Sequence, residues 1–362
     1  MGTSPEPEEA AAGPTAAPGG MHRRRTIALA VIAGLVVLAV AAAAFLLNRP
    51  RTETSAPVET SAPAPETTPA TPEPSPTPTP APATEPPPAA LNILLIGSDS
   101  RVNERAAAAS GAASDQRGDA LVFIHLPADR QSVYGISIMR DLWVDIPGHG
   151  AAKVNAGLEL GGVPLMTQTV EALLGQHIDH TVMLDFQGFA AMTDALGGVD
   201  VDIKQAFQGT VDDFVYFPAG VNRLNGLQAL AFVRERHAFA DGDYQRVRNQ
   251  QTFLKAMMAK LAAEGGLQDR NTVKQLVSTV LPHVTVSPGL NVETLEHLAF
   301  SLRSTAPGNA VFFTLPTAGV GTSWDGQSIV LQDPAATAAV SAALSSGTLA
   351  DYIAAHGLQN GN

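Results

Sequence analysis

The sequence predicts an α/β fold in which helices cover a layered sheet, preceded by one transmembrane helix and a Pro-rich disordered linker. Three observations predict it. From residue 91 onward, short apolar runs typical of buried strands alternate with stretches of helical spacing. Residues 27–47 carry no charged side chain, and fourteen of the 27 prolines lie between residues 49 and 90.

Residues 26–47 are predicted to form a membrane anchor. At about 1.5 Å per residue, the uncharged stretch spans about 31 Å, which matches the hydrocarbon core of a bilayer. Three arginines at positions 23–25 precede it, so residues 1–25 are expected to be a cytoplasmic tail, with the later chain outside. A cleaved signal peptide is the alternative, because the alanines at 41–44 offer cleavage sites, although its apolar region is normally about 7–15 residues.

Residues 48–90 form the predicted linker, made almost entirely of Pro, Ala, Thr, Ser and Glu. Such a composition cannot bury enough apolar surface to offset the conformational entropy of folding. Its proline density favours extended polyproline II structure, which at about 3.1 Å per residue reaches on the order of 130 Å. The segment is therefore expected to be a spacer, and its composition also resembles O-glycosylated stalks.

Residues 91–352 are predicted to form one domain, followed by a tail over residues 353–362. Apolar runs bounded by Gly, Pro or Asp predict strands, and apolar residues three or four positions apart predict helices. The predicted strands cover residues 91–96, 120–126, 133–139, 178–184, 199–203, 310–315 and 328–331. The predicted helices cover residues 163–174, 189–196, 227–233, 243–263, 273–281 and 295–302.

The composition excludes several classes of protein. The chain has 362 residues, a formal net charge of −12 and no cysteine. The net negative charge argues against a nucleic-acid-binding protein, which normally carries a patch of basic residues. Without cysteine the chain has no disulfide framework, thiolate metal site or cysteine nucleophile. The nine histidines show no metal-ligand spacing, so the sequence assigns them no role.

Charged residues follow several of the predicted strands. Asp99 and Arg101 follow the first, Asp119 opens the second, and Arg140 and Lys153 come after the third. Ligands of open α/β sheets bind in the crevice outside the carboxyl ends of the strands. Carboxylates and guanidinium groups that meet there suit a divalent cation, Mg²⁺ or Mn²⁺, together with an anionic ligand.

A second charged cluster lies around residue 240. Arg234 and Arg236 follow an apolar helix, and they point to the same side only if the backbone there is extended. Asp243, Arg246 and Gln250 recur at i, i+3 and i+7, which places them on one face of the next helix. So many arginines in a chain with 22 basic residues predict an anion site, since guanidinium groups match phosphate bidentately.

Seven short segments carry a family resemblance. They are GSDSR at 97–101, RGD at 117–119, SIMRDLWV at 137–144, KVN at 153–155, DALGGVDV at 194–201, RERH at 234–237, and DYQR at 243–246 together with QQ at 250–251. In order and spacing they resemble the LytR-CpsA-Psr (LCP) family of actinobacterial type, over about residues 91–261. The predicted anchor, linker and extracytoplasmic domain are similar to that family as well.

The resemblance implies a phosphotransferase that attaches a glycopolymer from a polyprenyl-pyrophosphate carrier to peptidoglycan. The implied partners are the lipid-linked glycopolymer, the peptidoglycan acceptor and the cell membrane, without nucleic acid. Two alternatives stay open, a polyprenyl-pyrophosphate hydrolase and a non-catalytic wall-binding module. A transcriptional role is disfavoured by the predicted anchor, the acidic charge and the lack of a clear helix-turn-helix pattern.

The resemblance also implies roles for single residues. Asp99 and Asp119 match metal-binding carboxylates that would hold Mg²⁺, or Mn²⁺, against the pyrophosphate. Arg140, Arg246 and Asp243 match catalytic positions, with Asp243 orienting an arginine or helping to deprotonate the acceptor hydroxyl. The substrate-binding matches are Arg101, Lys153, Arg234, Arg236 and Gln250. The lipid groove is expected beside the helices that follow Gly162 and Gly188, lined by Val163, Leu165, Val170, Leu173, Phe186 and Phe189.

Overall fold

The computed structural model describes residues 89–98, 108–111, 117–211, 215–263, 270–303 and 305–358. The strands are β1 Leu91–Ser98, β2 Gly118–Leu126, β3 Val133–Ile138, β4 Trp143–Ile146, β5 Gly150–Lys153, β6 His180–Asp185, β7 Val199–Ile203, β8 Phe207–Gln208, β9 Tyr216–Phe217, β10 Gly220–Leu224, β11 Val284–Val286, β12 Ala310–Thr314, β13 Thr317–Thr322 and β14 Ser328–Gln332. The helices are α1 Ala156–Leu174, α2 Phe186–Ala195, α3 Gly226–Arg234, α4 Asp243–Ala263, α5 Arg270–Val280, α6 Val292–Ser301, α7 Pro334–Ser346 and α8 Leu349–Ala355. The predicted α/β class is confirmed.

A six-stranded mixed sheet forms the middle layer, in the order β11-β6-β1-β2-β3-β12. β1 is parallel to β6 and antiparallel to β2, and β3 is antiparallel to β2 and parallel to β12. Gly97 lies opposite Ala120, and Leu121 lies opposite Ile138. The end of β1, the start of β2 and the end of β3 therefore meet at one edge of the sheet.

The side chains of the central strands alternate between two cores, one on each face of the sheet. On β1, Ile93 packs into the core formed with α2 to α6. Its neighbours Leu94 and Ile96 pack into the other core, formed with α1, α7 and α8. Because both faces are covered, the strands are nearly continuous apolar runs.

Five of the predicted helices are present as α2 to α6. The helix expected over residues 163–174 is the C-terminal section of a longer element, since α1 begins at Ala156 and its backbone breaks at Gly161 and Gly162. Gly162 has a φ of 62°, and a Cβ added there would lie 2.3 Å from the carbonyl oxygen of Ala108. This break therefore requires glycine.

Two of the predicted strands do not join the central sheet. β7 pairs with β10, and β14 pairs with β13 in a separate hairpin, so the strands predicted at residues 199–203 and 328–331 lie outside the six-stranded sheet. The domain also continues beyond residue 352, because Ile353 and Leu358 are buried in the core beside α7. The tail expected over residues 353–362 is therefore included in the fold at least as far as Leu358.

The predicted anchor over residues 26–47 lies outside the described residues, as does the linker except for residues 89 and 90. Within the described portion of the chain, no helix combines the length and the apolar character needed to cross a bilayer. The cytoplasmic tail over residues 1–25, the anchor and the linker therefore stay predictions.

Candidate active site

A cavity of about 330 Å³ opens at the sheet edge where β1 and β3 end and β2 begins. The sheet and the helices α2, α3 and α4 form its walls. Its apolar lining consists of Leu95, Ala120, Val122, Leu184, Phe186, Phe189, Met192, Val211, Leu230, Val233, Phe253, Leu254 and Met257. Its polar lining consists of Asp119, Arg140, Asp185, Arg234, Arg236, His237, Arg246 and Gln250.

The apolar region of the cavity lies farther from the sheet edge than the charged region. Leu95 and Val122 are register partners inside the strands, whereas Asp119 is the second residue of β2. Phe189 of α2 and Phe253 of α4 pack against each other, with ring centroids 5.0 Å apart. A chain of hydrocarbon could bury apolar surface here while its polar end stays at the sheet edge.

Helix α4 carries both kinds of lining on one face. Arg246 and Gln250 line the charged region of the cavity, and the residues Phe253, Leu254 and Met257, later on the same helix, line the apolar region. The sequence predicts the polar half of this face but not its apolar half. The sequence carries a signal for Phe253, because this residue continues the same i+3 and i+4 series beyond Gln250.

Arg140, just after β3, connects the charged residues of the strands with those of α4. Its Nη1 donates a 2.6 Å hydrogen bond to Asp119 Oδ1, and its Nε donates one of 3.1 Å to Asp243 Oδ2. Burial alone would lower the pKa of Arg140, but the carboxylates of Asp243, Asp119 and Asp141 outweigh it and raise that pKa. The guanidinium is therefore permanently charged and fixed in position.

Asp243, the first residue of α4, accepts hydrogen bonds from three guanidinium groups. The donors are Arg140 at 3.1 Å, Arg246 at 3.1 Å and Arg236 at 3.4 Å. Burial would raise the pKa of Asp243, but the charges of the three arginines lower it below its ordinary value. A carboxylate held in its ionised form in this way is a weak proton acceptor. Its geometry instead suits the orientation of arginines.

Arg246 is the most deeply buried of these arginines, with a side chain 5% exposed. Burial, together with the nearby charges of Arg140 and Arg236, lowers its pKa in spite of Asp243. Its Nε is buried and has no hydrogen-bond partner among the described residues. A buried donor without a partner is costly, so an anionic ligand in the cavity would stabilise Arg246.

Arg234 and Arg236 both line the cavity, as predicted for an extended backbone between them. α3 ends at Arg234, and Glu235 has the extended values φ −66° and ψ 130°. The Cζ of Arg234 lies 4.3 Å from the centroid of the Phe186 ring, a cation–π contact at the border between the apolar and charged linings.

Glu235, between these two arginines, is a buried residue that sequence analysis did not assign. Its carboxylate accepts hydrogen bonds from the backbone N–H groups of Arg236, His237 and Ala238, and from Thr210. Burial would raise the pKa of Glu235, but these hydrogen bonds lower it. Glu235 thus holds the arginine loop in place. No sequence spacing could have identified it, because Thr210 is distant along the chain.

Lys153 lies beside the cavity and not in it. Its Nζ is 3.1 Å from Asp141 Oδ1, and both residues line an adjoining polar cleft. Gln250 lies in the cavity, where its Nε2 donates a 3.3 Å hydrogen bond to the carbonyl oxygen of Val233. The predicted site residues Asp99 and Arg101 lie outside the described residues.

The position of α1 contradicts part of the predicted lining of the lipid groove. Phe186 and Phe189 of α2 line the cavity. The other four residues predicted for the groove pack against the core on the opposite face of the sheet, so they do not line this cavity; they are Val163, Leu165, Val170 and Leu173. The apolar lining comes instead from α3, α4 and the sheet.

Asp119 lies in the cavity wall, where its Oδ1 accepts the 2.6 Å hydrogen bond from Arg140. Among the residues that the structure describes, no three His, Asp or Glu side chains are grouped as they would be in a complete metal site. Mg²⁺ typically needs only one or two carboxylates when phosphate oxygens complete its coordination. Asp119 therefore fits a cation that is bound together with a phosphate ligand.

The LytR_cpsA_psr family profile matches residues 66–345. The probable cell wall biosynthesis protein LcpB of Corynebacterium glutamicum is 32% identical over 257 residues, covering 70% of this chain and 60% of the relative. The cell wall biosynthesis protein LcpA of the same organism is 29% identical, covering 67% of this chain and 53% of the relative. The aligned regions thus span little more than half the length of these relatives.

Other similar proteins include a teichoic acid transferase and two proteins of known structure. The polyisoprenyl-teichoic acid–peptidoglycan teichoic acid transferase TagU of Bacillus cereus is 33% identical, covering 49% of this chain and 54% of that protein. The crystal structure of B. subtilis TagV has a TM-score of 0.61 at 22% identity, covering 72% of this chain and 97% of TagV. The structure of TagT bound to LI-WTA has a TM-score of 0.56 at 24% identity, covering 71% of this chain and 90% of TagT. These two structures establish a common fold.

Proposed function

The chain belongs to the LytR_cpsA_psr family, and we propose that it is a phosphotransferase of cell-wall assembly. It transfers a glycopolymer from a polyprenyl-pyrophosphate carrier to peptidoglycan. The name of LcpB supports a role in cell-wall biosynthesis, the name of TagU supports the substrate class, and the cavity supplies independent physical support.

The observation that carries this proposal is a buried, unpartnered guanidinium nitrogen next to an apolar cavity. Arg246 Nε, which has no partner among the described residues, needs an acceptor, and Arg140, Arg234 and Arg236 add three more positive charges at the same end. The rest of the cavity is lined by aliphatic and aromatic side chains. A ligand that matches both regions has a multiply charged anionic head and a long hydrocarbon tail, which is the chemistry of a polyprenyl pyrophosphate.

The reaction is a phosphoryl transfer, in which positioning and charge neutralisation do most of the catalysis. A bond forms between the acceptor hydroxyl oxygen and the phosphorus that carries the glycopolymer. The bond from that phosphorus to the bridging oxygen breaks, the polyprenyl monophosphate leaves and the hydroxyl proton is released. Arg140 and Arg246 stabilise the charge that develops on the phosphoryl oxygens, and Asp243 holds both guanidinium groups in place.

Mg²⁺, or Mn²⁺, is the proposed cofactor. Asp119 would hold it at the cavity wall, and Asp99 is the second proposed ligand. When bound, a divalent cation neutralises pyrophosphate charge as a Lewis acid. The residues described above bind and orient the substrate around that position.

The protein is proposed to be a single-pass protein of the cell membrane. Residues 26–47 would be the anchor, residues 1–25 would be cytoplasmic, and the domain would lie outside the membrane. This arrangement supports the function because it keeps the cavity close to a carrier that is itself a membrane lipid.

The test uses the full chain with a polyprenyl-pyrophosphate-linked saccharide and a peptidoglycan acceptor. The proposal expects polyprenyl monophosphate and a phosphodiester-linked product to form together, only when the acceptor is present. Phosphate release without acceptor would instead establish the hydrolase alternative. Polymer binding that forms no product and survives both chelation and Asp119→Ala would establish the wall-binding module.

A further inference from the structure

The β13–β14 hairpin presents apolar side chains to solvent. Trp324 at its tip is 88% exposed, the highest value among the large hydrophobic side chains of the described residues, and Val320 is 70% exposed. Neither side chain contributes to the cores on the two faces of the sheet. Trp324 therefore offers an unused, flat contact surface with a polar N–H at its edge.

The turn that carries Trp324 is fixed by its own hydrogen bonds. Ser323 N donates to the carbonyl oxygen of Gln327 at 2.9 Å, and Gln327 N donates to Ser323 Oγ at 3.0 Å. Gln327 Nε2 donates to Asp325 Oδ2 at 2.6 Å, and Gly326 N donates to the carbonyl oxygen of Ser323 at 3.0 Å. The indole is thus presented on a preorganised backbone, which lowers the entropy lost on binding.

The hairpin is bonded directly to the two segments that carry the arginine cluster. Val330 N donates a 2.9 Å hydrogen bond to the carbonyl oxygen of Asp141, the residue after Arg140. Thr317 Oγ1 lies 2.9 Å from the hydroxyl of Tyr244, the residue after Asp243. Both strands of the hairpin therefore hold a fixed position relative to the charged site.

A polar cleft of about 870 Å³ lies between the hairpin and that site. Val320, Gln327 and Ser328 of the hairpin line it on one side. Donors and acceptors from the rest of the domain line the other side, among them Lys153, Asn155, Glu159 and Tyr244. Arg140, Arg236 and His237 line both the cleft and the apolar cavity, so the two spaces meet at the arginines.

The geometry of phosphoryl transfer assigns the two spaces to different substrates. The attacking and leaving oxygens lie roughly in line on opposite sides of the phosphorus. With the lipid tail in the apolar cavity, the lipid phosphate leaves on the cavity side. The attacking hydroxyl then enters from the other side of the arginines, where the polar cleft lies.

We propose that the polar cleft and Trp324 form the binding site for the acceptor, a saccharide chain. One sugar ring stacks its C–H face on the indole, and the cleft holds the following sugars with a hydroxyl directed at Arg140. This inference rests on the proposed function, because the in-line argument needs a lipid in the apolar cavity. It adds a location for the acceptor and a residue, Trp324, that the arginine cluster does not identify.

The charge of the hairpin favours a saccharide over a membrane surface as its partner. Between residues 317 and 332 the single charged side chain is Asp325, and no lysine or arginine is present. Segments that dock on anionic membranes combine apolar residues with a basic face. A hydrogen-bonding surface without basic residues, placed around an aromatic ring, matches the hydroxyl-rich surface of a glycan instead.

Kinetics of the full chain provide the first test. Trp324→Ala is expected to raise the KM for the peptidoglycan acceptor at least tenfold, while the Kd for the lipid-linked donor changes less than twofold. Trp324→Tyr should restore most of the acceptor affinity because it keeps a stacking face. Val221→Ala removes a side chain that is 75% exposed on β10, outside the cleft, and is the matched control. An unchanged acceptor KM in Trp324→Ala would overturn the proposal. The proposal would also be overturned if Trp324→Ala lost only its binding to anionic vesicles.

Fluorescence provides a test that does not depend on turnover. The chain has two tryptophans, so Trp143→Phe leaves Trp324 as the single indole reporter. Titration with a β-1,4-linked N-acetylglucosamine oligosaccharide should shift the emission of Trp324 and saturate. Saturable binding in a chain that transfers no polymer would refute the proposed function and support this site. Polymer transfer by a chain whose Trp324 emission does not respond would refute the site and support the function.

Discussion

Arg140 Nε donates a 3.1 Å hydrogen bond to Asp243 Oδ2, which joins the segment after β3 to the first turn of α4. The two residues are 103 positions apart in sequence. This contact lies where the apolar cavity and the polar cleft meet, because Arg140 lines both. It positions the guanidinium groups from the strand end and the helix around one place, as an oxyanion or phosphate site requires.

A double-mutant cycle on this pair should reveal strong coupling. Arg140→Ala and Asp243→Asn are each expected to lower kcat/KM by about 10²–10³-fold, since each removes a preorganised charge contact. The loss of transition-state stabilisation in the double variant should be smaller than the sum of the losses in the two single variants. The difference, which is the interaction free energy, should be about 0.5–3 kcal/mol. Steady-state kinetics measure kcat/KM for each variant, and unfolding curves test whether each variant is folded. Strict additivity would show that Asp243 does not act through Arg140.

Arg246 and its neighbour Arg248 offer a matched comparison on one helix. Arg246→Gln should lower transfer by about 10²–10³-fold, because it removes a buried charge that faces the ligand. Arg248 pairs with Asp241 and Gln245 and does not line the cavity, so Arg248→Gln should keep activity within about twofold. Equal losses in the two variants would show that α4 needs net charge and not a positioned guanidinium.

The apolar cavity should determine the preference for lipid length. Leu230→Trp enlarges a side chain of the cavity wall, so it should weaken binding of a long polyprenyl donor more than that of a short-chain analogue. Leu227→Trp changes an exposed residue of the same helix, which is 72% exposed, and is the control. Donor Kd values for both chain lengths check this. Equal weakening for both lengths would place the tail elsewhere.

His125 should make stability depend on pH at the opposite end of the domain. Burial, with a contribution from Arg130, lowers the pKa of His125 to about 4, and its Nδ1 donates a 2.7 Å hydrogen bond to Asn92 Oδ1. Below the ordinary pKa of about 6.5 the unfolded chain binds a proton that the folded chain does not bind. The free energy of unfolding is therefore expected to fall by about 3 kcal/mol as the pH decreases from 6.5 to 4.

Denaturant unfolding at several pH values measures this effect. His125→Gln should flatten the curve between pH 4 and 6.5, since it removes the titrating group. His149→Gln, at an exposed position, is the matched control. A wild-type slope retained in His125→Gln would assign the acid sensitivity to another group.

Glu235 should act through the arginine loop. Glu235→Gln replaces one acceptor oxygen by a donor that faces backbone N–H groups, so it should destabilise the domain by about 1–3 kcal/mol. It should also raise the KM for the donor, because Arg236 loses its support. Combined unfolding and kinetic data test both effects. A loss of stability without a change in KM would limit Glu235 to a structural role.

The element types and several site residues could be predicted from the sequence because they depend on local physics. The continuous apolar runs of β1, β2 and β3 result from burial on both faces of one sheet, and the spacing of Asp243, Arg246 and Gln250 is that of one helix face. The extended backbone at Glu235 was predictable from the need for Arg234 and Arg236 to face one ligand.

The location of the lipid cavity could not be predicted in the same way. α1 and α2 both contain glycines that precede apolar residues, so the sequence did not distinguish them as cavity walls. The side of the sheet on which each helix packs decides which one lines the cavity, and that depends on contacts between residues far apart in the chain.

The sequence by itself thus determined β1, β2, β3, β6, β7, β12 and β14, the helices α2 to α6, and the arginines of one helix face, since periodicity and charge are local properties. Only the tertiary structure decided that Asp243 pairs with three guanidinium groups, that Glu235 supports their loop and that Trp324 is exposed on a hairpin whose strands line a polar cleft. Those relations arise when β3, α4 and the β13–β14 hairpin are brought together. No spacing along the chain encodes the distances between them.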